Sequence, residues 1–171
     1  SSDKVYNASA NATLNGTASI VPLGSDAVTL GGTGAGTFAN KNVGNAKPVT
    51  VTGYTISGAD AGNYTLVQPT PTANITPAPL VIGGVTAAGR VYNATTVASL
   101  GGTATVTPLG SDTVTVAGTG VGVFADKNVG SNKPVTVSGF TLSGTDAGNY
   151  LPALPAGLVA TITPASLVVG G

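Results

Sequence analysis

The sequence predicts an all-β chain, and three observations carry that prediction. Gly, Thr, Val and Ala dominate its 171 residues while every acid is Asp, a balance that disfavours helices and favours strands joined by tight turns. Apolar residues recur with period two, as where Leu14, Ala18 and Ile20 alternate with Thr13, Asn15, Thr17 and Ser19. The third observation is a tandem repeat. Sliding the chain by 86 positions aligns Lys4–Tyr64 with Arg90–Tyr150 without a gap and with 40 of 61 positions identical, and the tails Ala73–Ala78 and Ala160–Ala165 realign after one inserted residue. Two copies of about 85 residues follow, each expected to be an Ig-like β-sandwich of about seven strands. A β-grasp-like module is the alternative, to be preferred if a helix of about ten residues is present. The expected boundaries are 1–79 for a first repeat lacking its initial strand, 80–165 for the second, and 166–171 for the start of a third.

Each copy opens with Leu14–Ile20 or its equivalent Leu100–Val106 as a half-buried strand. Pro22-Leu23-Gly24-Ser25-Asp26 then turns the chain into Val28-Thr29-Leu30. Gly31–Gly36 is too glycine-rich to assign, and Phe38 restores an inward residue. After the turn signal Lys41-Asn42-Val43-Gly44, Val49 and Val51 point inward until Gly53, where the phase slips by one to Tyr54 and Ile56. The second copy slips at Gly139, and both positions predict a β-bulge. A strand from Tyr64 and a short strand around Ile75 or Ile162 close each copy. Pro152 and Pro155 remove ladder donors after Tyr150, so that strand is expected to be shorter or at an edge in the second copy. The 8 aromatic residues pair across the copies as Tyr6 with Tyr92, Phe38 with Phe124, Tyr54 with Phe140 and Tyr64 with Tyr150, which nominates four core anchors per unit.

Asp60-Ala61-Gly62-Asn63-Tyr64 returns unchanged as Asp146-Ala147-Gly148-Asn149-Tyr150. An acid, a glycine able to take φ > 0 and a tyrosine opening a new segment read as a structural tyrosine corner, with the phenol hydrogen-bonding the backbone it has just left.

Composition excludes several functions. Lys plus Arg equals Asp plus Glu at 6 each, so no basic patch exists for nucleic acid or anionic lipid. Without Cys or His the usual zinc ligands are missing, and the Asp residues form no Asp-x-Asp-x-Asp loop, so neither metal nor other cofactor is expected. With Glu also absent, enzyme is the weakest class. No apolar run approaches the roughly 20 residues that span a bilayer, and Ser1-Ser2-Asp3 is not a charged signal-peptide start, so any targeting element is expected outside these residues.

Val-Tyr-Asn-Ala-Ser/Thr, Gly-Ser-Asp, Phe-Ala-Asn/Asp-Lys-Asn-Val-Gly, Lys-Pro-Val-Thr-Val, Ser-Gly-x-Asp-Ala-Gly-Asn-Tyr and Ile-Thr-Pro-Ala recur in this order in both copies. Their succession resembles the YDG-type repeats of large bacterial surface and two-partner-secreted proteins, the filamentous-haemagglutinin-like adhesins. The name-giving Tyr-Asp-Gly reads Tyr6-Asn7-Ala8 and Tyr92-Asn93-Ala94 here. The resemblance implies an extracellular, many-copy stalk at the bacterial cell surface, partnered by adjacent repeats of its own chain. A glycan- or surface-binding adhesive module, with a host or bacterial surface glycan as partner, is the alternative.

Two chemistries are weighed against bland readings. Lys41, Asn42 and Asp60, repeated as Lys127, Asn128 and Asp146, suit a Lys–Asn isopeptide with a carboxylate shuttling the proton, which requires a desolvated amine. A turn with a solvated lysine is the stronger reading of the same residues. Asn7, Asn11, Asn15, Asn63, Asn74 and Asn93 each begin an Asn-x-Ser/Thr sequon, although a chain this rich in Asn and Thr produces sequons by chance. The glycine run Gly31–Gly36 lacks the lysine and helix of a phosphate loop.

The ends of the copies carry one further expectation. Leu80-Val81-Ile82-Gly83-Gly84 leads into the second copy, while Leu167-Val168-Val169-Gly170-Gly171 has no copy to enter. If this segment is each unit's first strand, the first copy has an open edge and the end of the chain a spare strand. Donation to a neighbouring molecule, folding back onto its own domain, and simple tolerance of the loss all remain open.

Overall fold

The computed structural model describes residues 1–170 and divides into two units, the first spanning Ser1–Ala78 and the second opening at Pro79. In the first unit β1 (Lys4–Val5), β2 (Asn11–Ala12), β3 (Thr29–Phe38), β4 (Gly44–Ser57) and β5 (Thr72–Thr76) form one sheet in the order β1-β5-β4-β3-β2. The β3–β4 hairpin is its body; β5 lies antiparallel on β4, and β1 runs parallel to β5. The chain then continues through β6 (Ala78–Val81), β7 (Gly83–Ala87), β8 (Arg90–Val91), β9 (Val97–Ala98), β10 (Leu100–Thr105), β11 (Thr115–Phe124), β12 (Gly130–Ser143), β13 (Tyr150–Ala153) and β14 (Val159–Thr163). The five-stranded order returns as β8-β14-β12-β11-β9, now joined by two ladders, β10 with β7 and β13 with β6.

The fold is therefore all-β. Its only helical elements among the described residues are the three-residue 3-10 turns Ala61–Asn63 and Ala147–Asn149, so the ten-residue helix that would favour a β-grasp module is not among them. Strand number departs from the expected seven, at five in the first sheet and nine from β6 onward.

Period-two patterning places the cores. Phe38, Val49, Val51 and Ile75 are buried in the first unit. Their equivalents Phe124, Val135, Val137 and Ile162 are buried in the second, where Phe124, Val135 and Ile162 cluster with Ala98 and Ala160. Tyr6 and Tyr150 are buried as well, whereas Tyr54, Tyr64, Tyr92 and Phe140 are half-buried.

The phase slip along β4 is real, but the extra residue lies on the partner strand. Between the pairs Gly32↔Tyr54 and Ala35↔Thr52, Thr33 and Gly34 together oppose Gly53. Gly53 adopts φ +94°, and a Cβ there would fall 2.2 Å from the Thr33 carbonyl oxygen, so only glycine fits opposite the bulge. Gly139 repeats this at φ +86°.

The unassigned run Gly31–Gly36 is a strand because its neighbours supply the missing side chains. A Cβ at Gly34 would lie 2.5 Å from the Tyr54 ring, and one at Gly36 2.8 Å from Leu14 Cδ2. Phe140 covers Gly120 and Leu100 covers Gly122 in the same way. Cross-strand filling of this kind gives a glycine-rich strand apolar contacts that its own sequence does not encode.

Two strand expectations are corrected. The segment equivalent to β10 forms no strand in the first unit, and no strand starts at Tyr64. The strand after the second corner, expected to be shorter or at an edge because of Pro152 and Pro155, does lie at an edge as β13 in a two-stranded ladder, but it is not the shorter copy, because the first unit forms no strand there. A pairing partner decides the outcome: β13 has β6 beside it, with the Ile82 N–H donating to the Ala153 carbonyl at 2.9 Å.

Candidate functional site

The repeated tyrosine is positioned by a 3-10 turn that begins once the long hairpin has ended. The Tyr64 hydroxyl donates to the Asp26 carboxylate at 2.6 Å and accepts the Leu23 N–H at 2.9 Å. Asp60, one turn earlier, accepts the Ala27 N–H at 2.8 Å. In the second unit Tyr150 bonds Asp112 at 2.6 Å and Leu109 at 2.9 Å, and Asp146 bonds Thr113 at 2.9 Å. The expected corner is thus corrected in two respects. The phenol's partners lie 38 and 41 residues upstream rather than in the backbone just left. Gly62 and Gly148 are not the residues at positive φ; Gly58 and Gly144 are, at +123° and +117°. The arrangement is a staple between the Pro-Leu-Gly-Ser-Asp turn and the Asp-Ala-Gly-Asn-Tyr turn. Donation to the Asp26 carboxylate holds the Tyr64 phenol above its ordinary pKa, only partly opposed by the Leu23 N–H.

A second polar centre was not anticipated. Lys4 Nζ donates to Asn7 Oδ1 at 3.0 Å, the Ser9 carbonyl at 2.6 Å and the Asn11 carbonyl at 2.9 Å, while standing 5.5 Å from the centroid of the Phe38 ring. Desolvation lowers its pKa. Arg90 repeats the arrangement, bonding Asn93 Oδ1 and the Thr95 carbonyl 5.3 Å from the Phe124 centroid. The signal was present in the sequence: all six cations fall into matched pairs across the copies, and Lys4 with Arg90 is the pair next to the buried tyrosine strand.

The isopeptide residues are not brought together. Lys41 and Asn42 lie in the β3–β4 turn, and Asp60 lies beyond the other end of the 14-residue β4. At roughly 3.3 Å per residue the strand separates them by about 40 Å, far beyond proton-transfer reach. Lys127 and Asn128 stand in the same relation to Asp146 across β12, and both are exposed, which denies the lysine the required desolvation. The Asn128 N–H donates to Asp126, whose carboxylate also receives Lys133 Nζ at 2.6 Å. This Lys133 bond, then the Asn128 N–H, holds Asp126 below its ordinary pKa.

Among the sequon residues, Asn11, Asn15 and Asn63 are exposed. Asn7 and Asn93 are exposed too, but their Oδ1 atoms accept the backbone N–H groups of Ser9 and Thr95, closing turns. Asn74 is committed to structure: its Oδ1 accepts the Ala46 N–H, and its backbone N–H and side-chain amide both donate to Asp3. No group of three metal-ligating side chains occurs among the described residues.

Apolar clefts occur in both units: Val135, Val137, Leu154 and Leu158 line one of about 490 Å³ in the second, and a groove runs along the first. Ile20, Leu30, Tyr54 and Leu66 line a cleft of about 230 Å³. It is continued by a second of about 200 Å³ bounded by Val28, Ile56 and Tyr64.

The family model of the YDG domain matches residues 1–73 and 76–155. The chain belongs to the YDG domain family. Within these YDG repeats the name-giving triplet has a physical account. In Tyr6-Asn7-Ala8 the asparagine makes the turn-closing bond to Ser9 that an aspartate would also make, and Ala8 sits at φ +59°, a conformation that glycine adopts without strain. Ala94 repeats it at φ +63°. No curated protein and no solved structure matches the chain.

Proposed function

We propose that this chain is a structural spacer in a large bacterial cell-surface adhesin, two non-enzymatic stalk repeats that help project a distal binding region from the cell. The supporting observation is where the repeated polar residues are committed. Tyr64, Asp26 and Asp60, and again Tyr150, Asp112 and Asp146, bond turns of their own unit, with distances that agree between copies to within 0.1 Å. Lys4 and Arg90 close turns in the same way. Motifs used to rebuild one unit identically are what an extended array requires.

Adsorption distinguishes a spacer from an adhesive module. The purified chain, applied to mammalian cells, bacterial cells and immobilised glycans, is expected to be retained no more than an inert protein of similar charge. Saturable retention, competed by a soluble glycan, would overturn the reading.

A further inference from the structure

The inserted residue that offsets the tails of the two copies falls between Pro155 and Leu158. In the first copy Thr70 alone separates Pro69 from Pro71, whereas Ala156-Gly157 separates their equivalents Pro155 and Leu158. Both loops tie back to the long strand at the same place, the Pro71 carbonyl accepting the Val49 N–H and the Leu158 carbonyl the Val135 N–H, each at 2.8 Å. With this anchor shared, the longer loop takes up its extra residue through Gly157 at φ +72°, a conformation that glycine adopts without strain. Beside it, between β12 and residues 154–159, lies the cleft of about 490 Å³.

The cleft runs along an open edge. β14 pairs with β12 only from Gly130 to Pro134, and beyond that point β11 is the one ladder partner of β12 among the described residues. Backbone groups alternate in direction along a strand, so Val137 turns its N–H and C=O to the same side as the Val135 N–H, toward the loop that supplies Leu158. In the first unit the corresponding edge is capped further along, where Gln68 Nε2 donates to the Tyr54 carbonyl at 2.9 Å. Leu154 stands at the Gln68 position and has no amide to give Phe140. None of the residues lining the cleft is ionisable, and Lys133, next to it in sequence, is engaged by Asp126.

We propose that this cleft is a binding site for an extended, uncharged peptide segment of a partner protein, added as a short strand along β12. A backbone carbonyl of the peptide accepts the Val137 N–H, and a peptide N–H donates to the Val137 carbonyl. Alternate side chains enter between β12 and the loop, in a volume that lies within the range of about 300–1,000 Å³ typical of ligand sites. The neutral lining complements a neutral occupant, because a lysine or aspartate side chain would be desolvated there with no opposite charge to meet it. The site is additional to the spacer reading, since it takes a peptide and not a glycan.

Amide NMR of the intact chain, titrated with the peptide acetyl-Thr-Val-Thr-Val-Thr-amide to about 5 mM because a short strand binds weakly, tests this. Saturable shifts are expected at Val137 and in residues 154–158 with a Kd of about 1 mM, and none when both valines of the peptide are replaced by lysine. Two variants return the second copy to the pattern of the first: deletion of Gly157 shortens the loop, and Leu154→Gln, at a position 37% exposed, caps the Phe140 carbonyl. Each should weaken binding by roughly tenfold or more while hydrogen-exchange protection of β11 and β12 is retained. No saturation by about 5 mM, equal binding of the lysine peptide, undiminished binding in either variant, or shifts at Val137 that grow with protein concentration in the absence of peptide, as a second copy on the same edge would give, overturns the proposal.

Discussion

The two repeats share most of their sequence and differ in how much of it becomes sheet. Leu14–Ser19 and Leu100–Thr105 have matching apolar positions, but only the second is a strand, and only the second has β7 beside it. Thr65-Leu66-Val67 is a better strand sequence than Leu151-Pro152-Ala153, yet the proline-containing one pairs, because β6 is there to receive it. Backbone groups commit to a ladder when a partner satisfies them, and propensity is secondary to that.

The strongest way to break the comparison is to make the second unit resemble the first. Ile82→Asp puts a carboxylate at a position 1% exposed. It should destabilise the second unit by more than about 3 kcal/mol in urea unfolding and abolish exchange protection in β10 and β13 while leaving β3–β4 protected. Unchanged protection in β10 would show that the leading segment does not organise it.

The staples come next. Tyr150 is buried whereas Tyr64 is half-buried beside the groove. Tyr150→Ala should cost about 3–5 kcal/mol and Tyr64→Ala measurably less, with either phenylalanine variant costing about 0.5–1.5 kcal/mol for the lost hydrogen bond. Equal losses in the two units would mean that burial does not separate the copies.

A gain is expected at the name-giving turn. Relieving the left-handed strain at Ala8 or Ala94 by substitution with glycine should stabilise by about 0.5–1 kcal/mol, the relief exceeding the extra flexibility glycine gives the unfolded chain. The shift in thermal midpoint should be similar in both units.

The smallest effects are those of pH, and they reach the copies through different residues. Asp3 is held below the ordinary 3.8 chiefly by the Asn74 backbone N–H and then by its side chain, at a position where the second copy has Gly89. Asp126 is held below 3.8 by Lys133, where the first copy has Asn40 receiving Lys47. A lowered folded pKa means stability that is present above about 3.8 and declines as pH falls through the folded value. Asp3→Asn should flatten the acid limb of the first unit only, and Asp126→Asn that of the second. At the alkaline end the raised Tyr64 pKa contributes stability below 10.0 that is lost as pH climbs through the folded value, and Tyr64→Phe should remove this dependence.

Much of the architecture was legible in the residues themselves. Composition and period two determined the all-β class, self-alignment revealed the repeat, and alternation placed Phe38, Val49, Val51 and Ile75 inward, because each depends on neighbours within a few positions. The matched pair of five-residue corners likewise marked where each unit would be tied, though not to what. The tertiary structure alone decided the rest. Pairing across 38 residues made the phenol a staple, rings from a facing strand turned the glycine run into sheet, and the length of β4 kept Lys41 from Asp60. It also decided which copy of the same pattern forms its full set of strands. A strand's hydrogen bonds belong to its partner as much as to itself, so a sequence can specify the edge, but only the folded neighbourhood specifies whether that edge is filled.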